Sequence, residues 1–297
     1  MDDPLFPGFR VRRLRRADSE VHAVVGGNGP PVLLLHGYPQ THAAWHRIAP
    51  MLAREFTVIA PDLRGYGDSV GPVGGPPHQA YSKRAMADDV LALMRDELGF
   101  ERFAVVGHDR GGRVGYRLAL DHPEAVQAFS SLTVIPTEAM WANAGMAFGL
   151  KAYHWYLFAQ PFDLPERLLR ADPAYFLDWT LRGMALDPER IAPAARAAYH
   201  AAFARESVRH AMMEDYRAGA TIDLLHDRDA IAAGRRLACP VQILWSEGAP
   251  DPQPVWRAWA DAVEGAPIAA GHLLAEEAPQ AVLDHLLPFL QRTLSGT

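Results

Sequence analysis

Arg102-Phe-Ala-Val-Val-Gly-His-Asp-Arg-Gly-Gly-Arg113 decides how this chain is read. Phe103 to Val106 is a short apolar run of β-type residues closed by a glycine, which predicts a strand. Val114, Leu118 and Ala119 then recur at helical spacing, and Pro123 stands beyond them. Between strand and helix, Gly107 and Gly111 flank His108, Asp109 and Arg110. A turn this sharp leaves no room for a Cβ beside its central residue, which accounts for the glycines. That central residue is Asp109. Its carboxylate has two available roles. It either caps the helix that follows, as aspartate commonly does, or it stands free at the turn, where it can displace a leaving group from carbon and form an ester.

Working outward, residues 8–27 read as two strands with a turn near Asp18-Ser19, their arginines marking a solvated sheet edge. Pro31–Leu35 and Phe56–Ala60 are continuous apolar runs, expected for strands buried on both faces. A helix is predicted from Ser82 to about Leu98, and a strand from Val126 to Ile135. Strand signals then stop until Pro240–Trp245; the pattern beyond predicts a helix over 255–263, a strand over 267–270 and a closing helix over 279–294. Strands alternating with helices imply an α/β protein with a mostly parallel central sheet and helices on both faces. We expect residues 1–136 and 218–297 to form the core and 137–217 an inserted helical cap. In such sheets ligands bind beyond the carboxyl ends of the strands. His36, Asp109, Thr133, the 246–251 loop and His272 all fall at such ends.

A strand, a sharp turn and a helix with the nucleophile between two glycines make up the nucleophile elbow of the α/β-hydrolase fold, with Asp109 where esterases carry serine. Further stretches narrow the resemblance: His36-Gly-Tyr-Pro-Gln-Thr41, Asp62-Leu-Arg-Gly-Tyr-Gly-Asp-Ser69, Tyr81-Ser-Lys-Arg-Ala-Met-Ala87, His154-Trp155 and Asp215-Tyr-Arg-Ala-Gly-Ala-Thr-Ile-Asp223. From about residue 20 to 290 the chain resembles the fluoroacetate and haloacetate dehalogenases. Arginine directly after the nucleophile is the most selective mark, because related haloalkane dehalogenases and epoxide hydrolases usually carry tryptophan there.

The resemblance implies a division of labour. Asp109 attacks carbon, and His272 activates the water that hydrolyses the resulting ester. Arg110 and Arg113, three apart on one helix face, hold the substrate carboxylate. His154, Trp155 and Tyr216 receive the leaving halide, and Trp179 lines the pocket. The backbone N–H groups of Tyr38 and Arg110 form the oxyanion hole. His36 and His108 are expected to brace loops. The chain departs from the pattern at the acid that orients the histidine. The position after the strand near Ile135 is Thr133, and the alternative position after the next strand is Ala249. Asp251 is the expected substitute, ahead of Glu247.

Composition narrows the class. A net charge of −6 provides no basic surface for nucleic acid, so attraction for an anionic small molecule has to come from local arginines. The single cysteine, Cys239, forms no internal disulfide, which fits a reducing, cytoplasmic setting. No run of about 18 apolar residues and no signal peptide is evident, so no membrane partner is expected. Neither metal nor cofactor is implied by the spacing of histidines and carboxylates. A homodimer fits the resemblance.

Overall fold

The computed structural model describes residues 3–294; residues 1, 2 and 295–297, at the ends of the expected core segments, lie outside the described residues. The strands are β1 (Arg10–Arg15), β2 (Glu20–Gly26), β3 (Pro31–Leu35), β4 (Thr57–Pro61), β5 (Phe103–His108), β6 (Val126–Leu132), β7 (Val241–Ser246) and β8 (Val263–Ile268). They form one sheet in the order β1-β2-β4-β3-β5-β6-β7-β8. β2 pairs antiparallel with β1 and with β4, and every later pairing is parallel.

The continuous apolar runs explain the layering. Successive side chains of a strand point to opposite faces. Leu33, Leu35, Phe103 and Val105 enter one core layer, while Val32, Leu34, Ala104 and Val106 enter the other. Both faces of β3 and β5 are therefore covered. β1 is different: it lies at the sheet edge, with Arg13 and Arg15 reaching Glu20 at 2.6 and 2.8 Å.

Three segments differ from the sequence pattern. β6 stops at Leu132 because Thr133 takes φ +64°, which ends the extended backbone. The helix expected over 255–263 is a single turn, Gln253–Trp256. The last strand begins at Val263, because pairing with the whole of β7, from Val241↔Val263 to Ser246↔Ile268, sets its start. The apolar spacing of Val255, Trp256 and Trp259 serves packing: both tryptophans are buried where the chain turns.

Between β6 and β7 the described residues form helices and no strand, from Thr137–Ala142 to Ile222–Ala232. The helix Glu206–Ala220 runs through position 217, the expected junction of cap and core. No helix among the described residues is long and apolar enough to cross a membrane. Cys239 is buried, and burial pushes its thiol up to about 12.

Candidate active site

Asp109 sits at φ +48°, ψ −114°, a conformation that L-residues avoid and that must be imposed by its surroundings. Close packing imposes it. A Cβ on Gly107 would stand 2.6 Å from the Gly111 carbonyl oxygen, and one on Gly111 would overlap the Leu35 and His36 carbonyls. The Asp109 carboxylate makes no capping bond to the helix it precedes (Arg110–Asp121). The cap role is thereby rejected. Instead Oδ1 accepts the Tyr38 N–H at 2.9 Å, and Oδ2 faces His272 Nε2 at 3.4 Å. Burial works to raise the pKa of Asp109. The hydrogen bond and charge of His272, with Arg110 behind, outweigh it and hold the carboxyl well below the usual range.

The two arginines come together as expected, but their forks are not equally free. Arg110 is fully buried, and Asp215 occupies most of it: Nε donates to Oδ2 and Nη2 to Oδ1, each at 2.8 Å. Only Nη1 of Arg110 is left without a partner. Arg113 donates Nη1 to the Ile135 carbonyl at 3.0 Å and to Thr137 Oγ1 at 3.1 Å. Among the described residues no carboxylate pairs with it within 4.0 Å, and its Nε is orphaned. Burial, then the charge of Arg110, lower its pKa. The Trp155 ring lies 4.7 Å from its guanidinium. A cation–π contact contributes up to about 2 kcal/mol, against a desolvation cost of several kcal/mol for a buried ion. The Ile135 carbonyl and Thr137 hydroxyl offset part of that cost without supplying an opposite charge.

Above these groups, His154, Trp155 and Tyr216 close a ring cluster with Tyr38 and Phe158. His154 stacks on Tyr38 at 5.3 Å, and Tyr216 meets His154 edge-on at 5.5 Å and Trp155 at 5.7 Å. Burial lowers His154 to about 4, so it is a neutral imidazole. Among the described residues the buried Tyr216 hydroxyl has no partner, while those of Tyr38 and Thr180 lie against each other. Trp179 behaves differently from expectation: it is 53% exposed, with its ring against Tyr175. The helix Pro173–Met184 instead turns its neighbour Thr180 inward.

The histidine end lacks its acid. Asp251 is exposed, and its carboxylate accepts the Gln253 N–H at 2.9 Å. Glu247 is exposed as well. Among the described residues the only carboxylate within 4.0 Å of a His272 nitrogen is Asp109 itself. The cause is the direction of the loop. The Glu247 N–H bonds the Ile268 carbonyl at 2.9 Å and Ser246 Oγ bonds the Ala270 carbonyl at 2.7 Å, which prolongs the β7–β8 contact and sends 247–251 into solvent. Backbone bonds hold the His272 loop instead: His272 N–H to the Met184 carbonyl at 2.7 Å, and His108 Nε2–H to the His272 carbonyl at 2.8 Å. Burial keeps His108 neutral by lowering it to about 4, so it braces this loop as a donor.

Spacing along the chain concealed one further cluster. His22, His42 and Asp62 lie buried together. His42 gives Nδ1 to Asp62 at 2.9 Å and Nε2 to Asp3 at 2.8 Å. Burial opposes its charge, but Asp62 and Asp3 raise it to about 10. His42 thereby bridges the two carboxylates.

The elbow, the parallel sheet and the inserted helices define an α/β-hydrolase, and the chain belongs to that family: the model of the alpha/beta hydrolase fold matches residues 30–279. Within it, the family is that of the fluoroacetate and haloacetate dehalogenases. A fluoroacetate dehalogenase of Burkholderia sp is 40% identical, covering 98% of this chain and 97% of its own. A soluble epoxide hydrolase of Corynebacterium is 34% identical over 91% of this chain and 93% of its own. A solved structure from Pseudomonas aeruginosa, provisionally described as an epoxide hydrolase, superposes with TM-score 0.94 at 55% identity, covering 98% of each chain. A threonine-to-aspartate variant of that protein, with bound MFA, superposes with TM-score 0.92 at 54% identity, again over 98% of each chain.

Proposed function

We propose that this protein hydrolyses haloacetates, fluoroacetate and chloroacetate, to glycolate and halide. The observation that carries the reading is Arg113, a buried guanidinium without a carboxylate partner, one helical turn from Asp109. Attack of a carboxylate on an anionic substrate brings two like charges together. At about 4 Å and an effective dielectric near 20 this costs about 4 kcal/mol. Arg113 and the free Nη1 of Arg110 offset that repulsion and align the α-carbon.

In the first half, Asp109 Oδ2 attacks the α-carbon and the carbon–halogen bond breaks with its electron pair on the halide. Tyr216, Trp155 and His154 provide uncharged donors for that growing charge, which fluoride needs most. In the second half, His272 takes a proton from water, and hydroxide attacks the ester carbonyl at Asp109. Its oxygen is held by the Tyr38 N–H, with the Arg110 N–H beside it at the helix start. The bond between the Asp109 carboxyl carbon and the glycolyl oxygen then breaks, His272 returns its proton to that oxygen, and glycolate leaves as the Asp109 carboxyl loses its own proton and the carboxylate is restored.

Epoxide hydrolysis is the second reading. The unpartnered hydroxyl of Tyr216 favours it, because it is suited to protonate an epoxide oxygen. Halide release from fluoroacetate and chloroacetate, measured beside diol formation from a neutral epoxide, decides between them. Faster turnover of the epoxide than of either acid overturns the haloacetate reading.

A further inference from the structure

Two of the sequence stretches quoted above, 81–87 and 215–223, contribute residues with no part in either half-reaction. In the fold they meet. Lys83 opens the helix Lys83–Ala92 in the core, and Asp215 lies on the cap helix Glu206–Ala220. Lys83 Nζ donates to Asp215 Oδ1, and also to Asp223 Oδ2 at 3.0 Å, while its backbone N–H donates to Asp223 Oδ1 at 2.8 Å. All three side chains are buried. Asp215 is the carboxylate that fills the Arg110 fork, and Tyr66 Oη adds a bond to its Oδ2 at 2.7 Å. Tyr216, with its unpartnered hydroxyl, is the next residue along the helix.

This arrangement poses an electrostatic problem. An arginine locked to one aspartate is a neutral pair, and a neutral pair has little attraction for a second carboxylate. A cation on the far side of that aspartate draws part of its charge away and leaves Arg110 positive toward the substrate. We propose that Lys83 is a positioning and specificity residue: by holding Asp215 from behind, it keeps Arg110 available to an anionic substrate and so sets the preference for haloacids over neutral haloalkyl compounds. This inference rests on the haloacetate reading. Lys83 touches neither nucleophile nor arginine and acts only through Asp215.

The probe is the ratio of kcat/KM for chloroacetate to that for chloroacetamide, which have the same leaving group and differ in charge. Both values report binding and alkylation of Asp109 alone, whatever the rate of ester hydrolysis. Lys83→Met is expected to lower the ratio by about fivefold or more, through the acid, with chloroacetamide held within about threefold of the wild type. A smaller fall, or an equal loss on both substrates, overturns the proposal. Asp223→Asn tests the opposite sign and decides alone should Lys83→Met not fold. It leaves the whole Lys83 charge on Asp215, so the ratio is expected to stay at or above the wild-type value, and a fall overturns the proposal. Wild-type protein that releases no chloride from chloroacetate refutes the haloacetate reading itself, a result distinct from either variant outcome.

Discussion

The two ends of the site are built to different standards. At the arginine end, one buried carboxylate receives bonds from Arg110, Lys83 and Tyr66, and every partner is itself enclosed. At the histidine end, the His272 side chain is 29% exposed and, among the described residues, the nucleophile is the only carboxylate within 4.0 Å of it. In the proposed reaction, that difference separates the two halves. Positioning of substrate and attack by Asp109 draw on the rigid end. Hydrolysis of the ester draws on an imidazole whose backbone is held and whose ring is not oriented by an acid. In a serine protease, loss of that acid costs on the order of 10⁴ in turnover. Alkylation is therefore expected to outrun deacylation here.

Removing the histidine gives the largest contrast. His272→Ala should release one equivalent of chloride from chloroacetate and then stop, with Asp109 carrying a carboxymethyl ester visible by intact-protein mass spectrometry. Loss of the first equivalent as well would tie the two ends together and break the comparison. Thr133→Asp should act in the other direction. Its backbone, at φ +64°, suits aspartate better than a β-branched residue, and it stands where the family keeps the acid. Steady-state turnover should rise by roughly 10- to 100-fold, with the single-turnover rate of halide release unchanged. An unaltered kcat would show that ester hydrolysis is not the slow step.

A smaller effect is expected from pH. Asp109 has a depressed pKa, so it remains ionised in the folded protein below the ordinary carboxylate range. By linkage its stabilising contribution is present above the unfolded pKa and is lost only as pH falls through the folded value. The single-turnover alkylation rate should accordingly be flat from about pH 8 down to about pH 5. A loss of rate across that window would mean that a group other than Asp109 must be ionised for attack. The smallest effect belongs to Asp251→Asn. Exposed, and bonded among the described residues to the Gln253 N–H, it should leave kcat within about twofold. A large loss would bring the 247–251 loop back into the mechanism.

Local chemistry made the rigid half of this protein legible in the chain. The elbow follows from two glycines that steric exclusion demands, the buried strands from apolar runs of strand length, and the arginine pair from a spacing of three on a helix. Each is set by neighbours within a few residues. What remained hidden depends on groups far apart in sequence or on the direction of a loop. Asp215 stands 105 residues from the arginine it holds. Asp251 lies close enough in sequence to β7 to be the natural choice of acid, yet the hydrogen bonds of Glu247 to Ile268, the last residue of β8, and of Ser246 to Ala270 just past it turn it outward. Trp179 and Thr180 are adjacent, and packing of their helix alone selects which faces inward. Composition and spacing determine which side chains are available for chemistry; long-range contacts decide which of them are free to perform it.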